Sequence, residues 1–200
     1  MRLLLITLAF LACQPSKVEI KDNFTESITE DTSYSDQTPT EFGVIEEEDC
    51  DQIELGSGVC NIVLYDQNNN IWELHNHPNK IIILDFSTVW CYPCQVAGMK
   101  TQAIQDDYAD DVIFVTLLIE GATGDPATLL DAQTWVTEHN VTTAPVLQAS
   151  REYVLDPNGI TGYLVGGFPT YVYLDKNLKI ATAHTGFSEE YIRQVLNGML

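Results

Sequence analysis

Two thiols three positions apart, Cys91 and Cys94, are the residues of this 200-residue chain best suited to chemistry; Trp90 precedes them and Tyr92 and Pro93 separate them. Disulfide exchange needs an attacking thiolate and a second thiol close enough to resolve the mixed disulfide. Two intervening residues put both sulfurs in the first turn of a helix that starts at the pair. Cys91 would then face unsatisfied N–H groups and the positive end of the helix dipole, which lower a thiol pKa. Cys94 falls one turn in and is shielded, and Pro93 is tolerated where the helix does not need its N–H. Cys91 is therefore the expected nucleophile. A bare C-x-x-C is also compatible with half a zinc site or a structural disulfide. A zinc site normally requires two further ligands. Of the histidines, His75 and His77 sit beside a turn ahead of Pro78 and read as surface, while His139 and His184 are isolated.

The remaining cysteines are Cys13, Cys50 and Cys60. Residues 1–12 carry one Arg and then an apolar run. Roughly ten apolar residues are too few to cross a bilayer, which takes about 20, but they fit the core of a secretory signal. A secretory route leads to compartments where disulfides persist. If Cys13 is set aside, four cysteines make two pairs, the near neighbours Cys50 and Cys60 as a structural disulfide beside Cys91 and Cys94. Phe10-Leu11-Ala12-Cys13 resembles the bacterial lipobox, with Phe10 where Leu is usual. That resemblance implies lipid on Cys13 and a membrane anchor without a spanning helix; an ordinary signal cleaved nearby is the alternative.

The chain carries 9 basic and 29 acidic residues, net −20. Such a surface repels phosphate backbones, so nucleic acid is not an expected partner. Eleven of the acids fall in residues 14–49, with 2 Lys and few large apolar side chains. That composition predicts a disordered acidic tether over 13–49 and a globular domain over 50–200.

The elements that must hold the dithiol follow from the pattern. Residues 61–65 and 71–74 flank Asp66-Gln67-Asn68-Asn69-Asn70 as a hairpin would. Ile81 to Phe86 reads as a central strand covered on both faces. A helix is expected from the dithiol to Ala109, with Val96, Met99, Ala103, Ile104 and Tyr108 on one side. A second buried strand follows at 112–119 and a helix over 126–139, with Pro126 near its start. Residues 146–148 read as a short strand and 156–164 as a short helix. Strands at 170–174 and 178–183 join through Asp175-Lys176-Asn177, and Ser188 caps a last helix. This order predicts an α/β fold with a mixed central sheet flanked by helices, an N-terminal β-hairpin and an inserted strand–helix.

Leu84-Asp85-Phe86-Ser87-Thr88-Val89-Trp90-Cys91-Tyr92-Pro93-Cys94 resembles the active-site strand and dithiol of the thioredoxins. About 75 residues on, Val165-Gly166-Gly167-Phe168-Pro169-Thr170 resembles their second signature, whose proline is cis. Within that superfamily the chain is most similar to the extracytoplasmic TlpA- and ResA-like thiol-disulfide oxidoreductases. The resemblance implies that Asp85 is a buried acid handling the proton of the resolving thiol and that Pro169 sits beside the dithiol. It implies that Trp90, Tyr92 and Phe168 meet the substrate. It further implies extracytoplasmic disulfide-containing partner proteins, a membrane thiol electron donor, no cofactor, a monomer, and a cell-envelope location facing the periplasm or the surface. Two departures stand out. Reductases of cytochrome maturation carry a Glu and a Pro where this chain has Ala97 and Met99, and Phe168 is bulkier than the residue usual there.

Two rival functions share this pattern. Thr88-Val89-Trp90-Cys91 contains the T-x-x-C of the peroxiredoxins, but Leu84 stands where that motif needs Pro. A thioredoxin-fold copper-delivery protein would need wider cysteine spacing and a dedicated His, for which His139 and His184 are candidates only by default.

Overall fold

The computed structural model describes residues 53–155, 162–163 and 165–200, all within one compact unit. The signal at 1–12, Cys13, the tether and Cys50 lie outside the described residues, as does most of the helix expected at 156–164. In chain order the elements are β1 (Val63–Tyr65), β2 (Ile71–Glu73), β3 (Ile81–Thr88), α1 (Tyr92–Asp107), β4 (Val112–Glu120), α2 (Leu129–His139), β5 (Val146–Gln148), α3 (Arg151–Val154), β6 (Thr170–Leu174), β7 (Ile180–Thr185) and α4 (Glu189–Met199).

β1 and β2 form the predicted antiparallel hairpin, closed where Asp66 accepts from the Asn68 and Asn70 N–H groups and Asn69 takes positive φ. The main sheet has the order β5-β4-β3-β6-β7. β3 runs parallel to β4 and antiparallel to β6, so it sits at the centre with every residue buried. Alternation along the strands sorts the core into two faces. Ile82, Leu84 and Phe86 pack with Val115, Leu117, Val172 and Leu174 under the hairpin residues Leu64, Trp72 and Leu74 and under Val154 of α3. Ile81 and Ile83 pack on the other face with Phe114, Tyr171, Ile104 of α1, and Ile192 and Leu196 of α4. The long helices α1 and α4 thus cover one face, and the hairpin with short α3 covers the other.

Three elements differ from the sequence expectation. The buried stripe of α1 is Cys94, Ala97, Gly98, Thr101, Ile104 and Gln105, while Met99 and Ala103 are exposed. Polar residues enter because their groups are satisfied: Thr101 Oγ1 donates to the Ala97 carbonyl, and the Gln105 amide bonds both Val112 O and Phe114 N–H. α2 begins at Leu129 rather than near Pro126, because Thr128 and Asp131 form a reciprocal capping box that fixes the start. α3 was not expected; Ser150 caps it by accepting from the Tyr153 N–H, and four residues are too few to show a period.

Candidate active site

The C-terminal end of β3, at the centre of the sheet, delivers the chain to the N-terminus of α1. Cys91 is the N-cap of that helix, and its Sγ accepts from the Cys94 N–H at 3.3 Å. Pro93 occupies the first turn. Cys91 and Cys94 are joined as a disulfide, with Cα atoms 5.2 Å apart. Cys91 keeps 5% exposure and Cys94 none, so of the two sulfurs Cys91 is the one an outside group can reach. Both belong to a buried cluster that includes Leu118 of β4 and Ala132 and Trp135 of α2.

β6 returns antiparallel to β3 with Phe86 opposite Thr170, which brings the residues before Thr170 to the dithiol end of the sheet. The Phe168–Pro169 bond there is cis, as the second motif implied. Cys91 Sγ lies 3.5 Å from the Phe168 carbonyl oxygen. Trp90, Cys91, Arg151, Val165, Gly166, Gly167 and Phe168 line an open groove of about 270 Å³ at this junction. The structure therefore brings Trp90, Cys91 and Phe168 to one groove, whereas Tyr92 is not among its lining residues and is 78% exposed.

Asp85 lies below, on the face that α1 and α4 cover, fully buried. Ser87 Oγ donates to its Oδ1 at 2.8 Å and Thr116 Oγ1 to its Oδ2 at 3.5 Å. Burial dominates and pushes the carboxyl up to about 7, against the pull of those two donors. The strand register extends this position into a row across the sheet: Thr116, Asp85, Tyr171 and His184 stand side by side on β4, β3, β6 and β7. The Tyr171 phenol is pushed up by burial and then by the Asp85 charge, and its ring stacks on His184. Nothing in the sequence without register could align these four.

The sequence reading also missed Glu120 and Arg151. Glu120 ends β4, almost buried, and accepts from Trp90 Nε1 at 2.7 Å. Its other oxygen accepts from Arg151 Nε in an ion pair. The Arg151 guanidinium in turn lies 5.2 Å over the Phe168 ring, which meets Trp90 edge-on. An acid at a predicted strand end is a visible signal; its partner on an unpredicted helix is not.

Among the described residues no three His, Cys, Asp or Glu side chains converge as a metal site requires. His139 Nδ1 donates to the Trp135 carbonyl and the ring packs on Gly98, and His184 lies among Tyr171, Tyr173 and Tyr191. Cys60 is buried and disulfide-bonded; its expected partner, Cys50, lies outside the described residues.

No protein-family model matches the chain. Over 44 residues it is 39% identical to thioredoxin H2-2 of Oryza sativa subsp. japonica, a stretch covering 22% of this chain and 33% of that protein, so the match spans a third of that relative's length. A Chlorobium tepidum protein described as the thiol:disulfide interchange protein DsbE superposes with a TM-score of 0.57 at 23% identity, over 74% of this chain and 99% of that one. The exposed lipoprotein thioredoxin of Streptococcus pneumoniae gives 0.56 at 24% identity, over 69% and 98%. A DsbF homologue of Corynebacterium diphtheriae gives 0.60 at 16%, over 81% and 96%. The central β3, the dithiol at the head of α1, the cis-proline before β6 and these superpositions together establish that the chain has the thioredoxin fold.

Proposed function

We propose that the chain is a thiol–disulfide oxidoreductase of the cell envelope, held to a membrane by lipid on Cys13 and exchanging disulfides with extracytoplasmic proteins. The observation that carries the reading is the Cys91–Cys94 disulfide at the N-terminus of α1, against the cis Phe168–Pro169 bond.

In the reducing direction, the Cys91 thiolate attacks one sulfur of a substrate disulfide. A mixed disulfide forms, and the other substrate sulfur leaves as a thiolate that takes a proton. The Cys94 thiol gives its proton to the Asp85 carboxylate, and the resulting thiolate attacks Cys91 Sγ. The second substrate sulfur leaves, and two electrons have passed from the dithiol to the substrate. The Cys94 N–H and the helix dipole stabilise the Cys91 thiolate at the start. A carboxyl that titrates near neutrality is suited to take the Cys94 proton and release it. Trp90, Tyr92 and Phe168 supply the apolar surface that an extended substrate segment would meet. Regenerating the dithiol calls for a membrane thiol donor.

Cys91→Ser is expected to abolish insulin disulfide reduction, and Cys94→Ser to accumulate mixed disulfides with partner proteins. Faster alkylation of Cys94 than of Cys91 in the reduced chain would reverse the roles. In cells, Cys13→Ser is expected to remove the protein from the membrane fraction; unchanged partitioning would refute the anchor.

A further inference from the structure

Arg151 is the cation among the groove-lining residues, and it does not stand alone. Its Nε is paired with Glu120, whose second oxygen holds the indole N–H of Trp90, the residue next to Cys91. Its guanidinium covers Phe168, whose carbonyl oxygen is 3.5 Å from Cys91 Sγ. The first turn of α1 carries no acid to offset a nearby positive charge. We propose that the Glu120–Arg151 pair sets the charge felt by Cys91, with Glu120 neutralising Arg151 so that the thiolate is not over-stabilised, and thereby fixes how oxidising the dithiol is.

The proposal rests on the exchange reading for its purpose, but its physics concerns one thiol and two charges. A thiolate beside an uncompensated guanidinium is favoured, and its pKa falls. A thiolate beside an uncompensated carboxylate is disfavoured, and its pKa rises. The dithiol form loses stability relative to the disulfide as thiolate repulsion grows, and gains it as the thiolate is stabilised. Glu120 is able to serve as the fixed negative charge because its Arg151 bond holds its pKa low in spite of burial. Lys100 of α1, Asp131 and Glu138 of α2 and Glu152 of α3 are half-buried or exposed, Asp131 lying against Gly121. The other buried carboxyl and imidazole on elements packed around Cys91 are Asp85 of β3 and His139 of α2, the latter packed on Gly98. Neither touches the groove, so neither is expected to follow the pair. Glu120 and Arg151 are positioning residues; neither reacts.

The test is the thiolate absorbance of the reduced full chain titrated against pH, which needs no turnover and stays readable if exchange activity is absent. Glu120→Gln keeps an acceptor for Trp90 and removes the charge; the Cys91 midpoint is expected to fall by about one unit, roughly a tenfold gain in thiolate at a fixed pH below it. Arg151→Met is expected to raise the midpoint by a similar or smaller amount, since Arg151 is half exposed. Arg151→Lys should return it towards the parent, and the Glu120→Gln, Arg151→Met double variant should lie near the parent. Equilibration with glutathione should show Glu120→Gln more oxidising and Arg151→Met more reducing. Single variants that shift the midpoint in the same direction, or do not shift it, would overturn the proposal. If Glu120→Gln failed to fold, the Met and Lys replacements at Arg151 would decide it by their sign and rescue.

Discussion

Asp85 is an acid where the strand pattern wants an apolar residue, and its cost is measurable. The folded chain holds the carboxyl near 7, above its ordinary value of 3.8. Folding is therefore favoured most when the group is protonated in both states, below about pH 4, and that advantage is lost as pH rises through about 7. A rise of about three units corresponds to on the order of 4 kcal/mol once the window is passed. Asp85→Asn should remove this slope, leaving the variant more stable than the parent by that order at pH 8 and little changed at pH 4. Denaturant unfolding at the two pH values checks it; a difference independent of pH would show that Asp85 stays ionised in the fold. The same variant should prolong the mixed disulfide, because the Cys94 proton loses its acceptor. Stability and turnover are expected to move in opposite directions, which separates a proton-handling acid from a packing residue.

At the scale of elements, the contact between α1 and α2 depends on a residue without a side chain. A Cβ placed on Gly98 would stand 2.7 Å from His139 Cδ2 and 2.9 Å from Cγ. His139 is itself held by its bond to the Trp135 carbonyl and by the tilted Trp135 ring, so it has little room to give. Gly98→Ala should destabilise by about 1–3 kcal/mol through overpacking, despite the roughly 1 kcal/mol that alanine gains over glycine in a helix. Adding His139→Ala should recover much of the loss. A Gly98→Ala chain more stable than the parent would show that His139 moves freely. This contact also marks where sequence reading stops. The strands, the dithiol turn, the hairpin and the Ser188 cap were legible because each is a local pattern. The apolar stripe assigned to α1 was wrong at Met99 and Ala103, because small and polar residues fill the interface when a neighbour's ring and backbone complete them. Glu120, Arg151 and the row from Thr116 to His184 were not legible, since they are defined by which strands lie side by side and by a helix of four residues.

At the scale of the whole molecule, the described fold begins at a stretch that leans on the sheet edge. β7 ends the main sheet, and its outer side is covered by residues 56–58: the Gly56 N–H donates to Ile180 O and the Ile180 N–H to Ser57 O. Gly56 takes φ of 85°, which an L side chain rarely adopts, to make that approach. Val59 and Ile62, on either side of Cys60, then enter the hairpin face of the core, whereas Cys91 and Cys94 pack with α2 in a separate cluster. A structural Cys50–Cys60 disulfide would close a loop around this edge cover, with nine residues between the thiols. Closing a loop of that length is worth on the order of 2–3 kcal/mol through the unfolded state. The competing role is a second redox pair passing electrons to Cys91–Cys94, which would require the two pairs to meet, sulfur against sulfur. Their separate core clusters favour the staple. Replacing both Cys50 and Cys60 with Ala should lower the melting temperature by about 5–10 °C, using roughly 2–4 °C per kcal/mol for a domain of this size. Insulin reduction by the folded variant at 25 °C should remain close to that of the parent. Loss of turnover with an unchanged melting curve would instead make Cys60 part of an electron path.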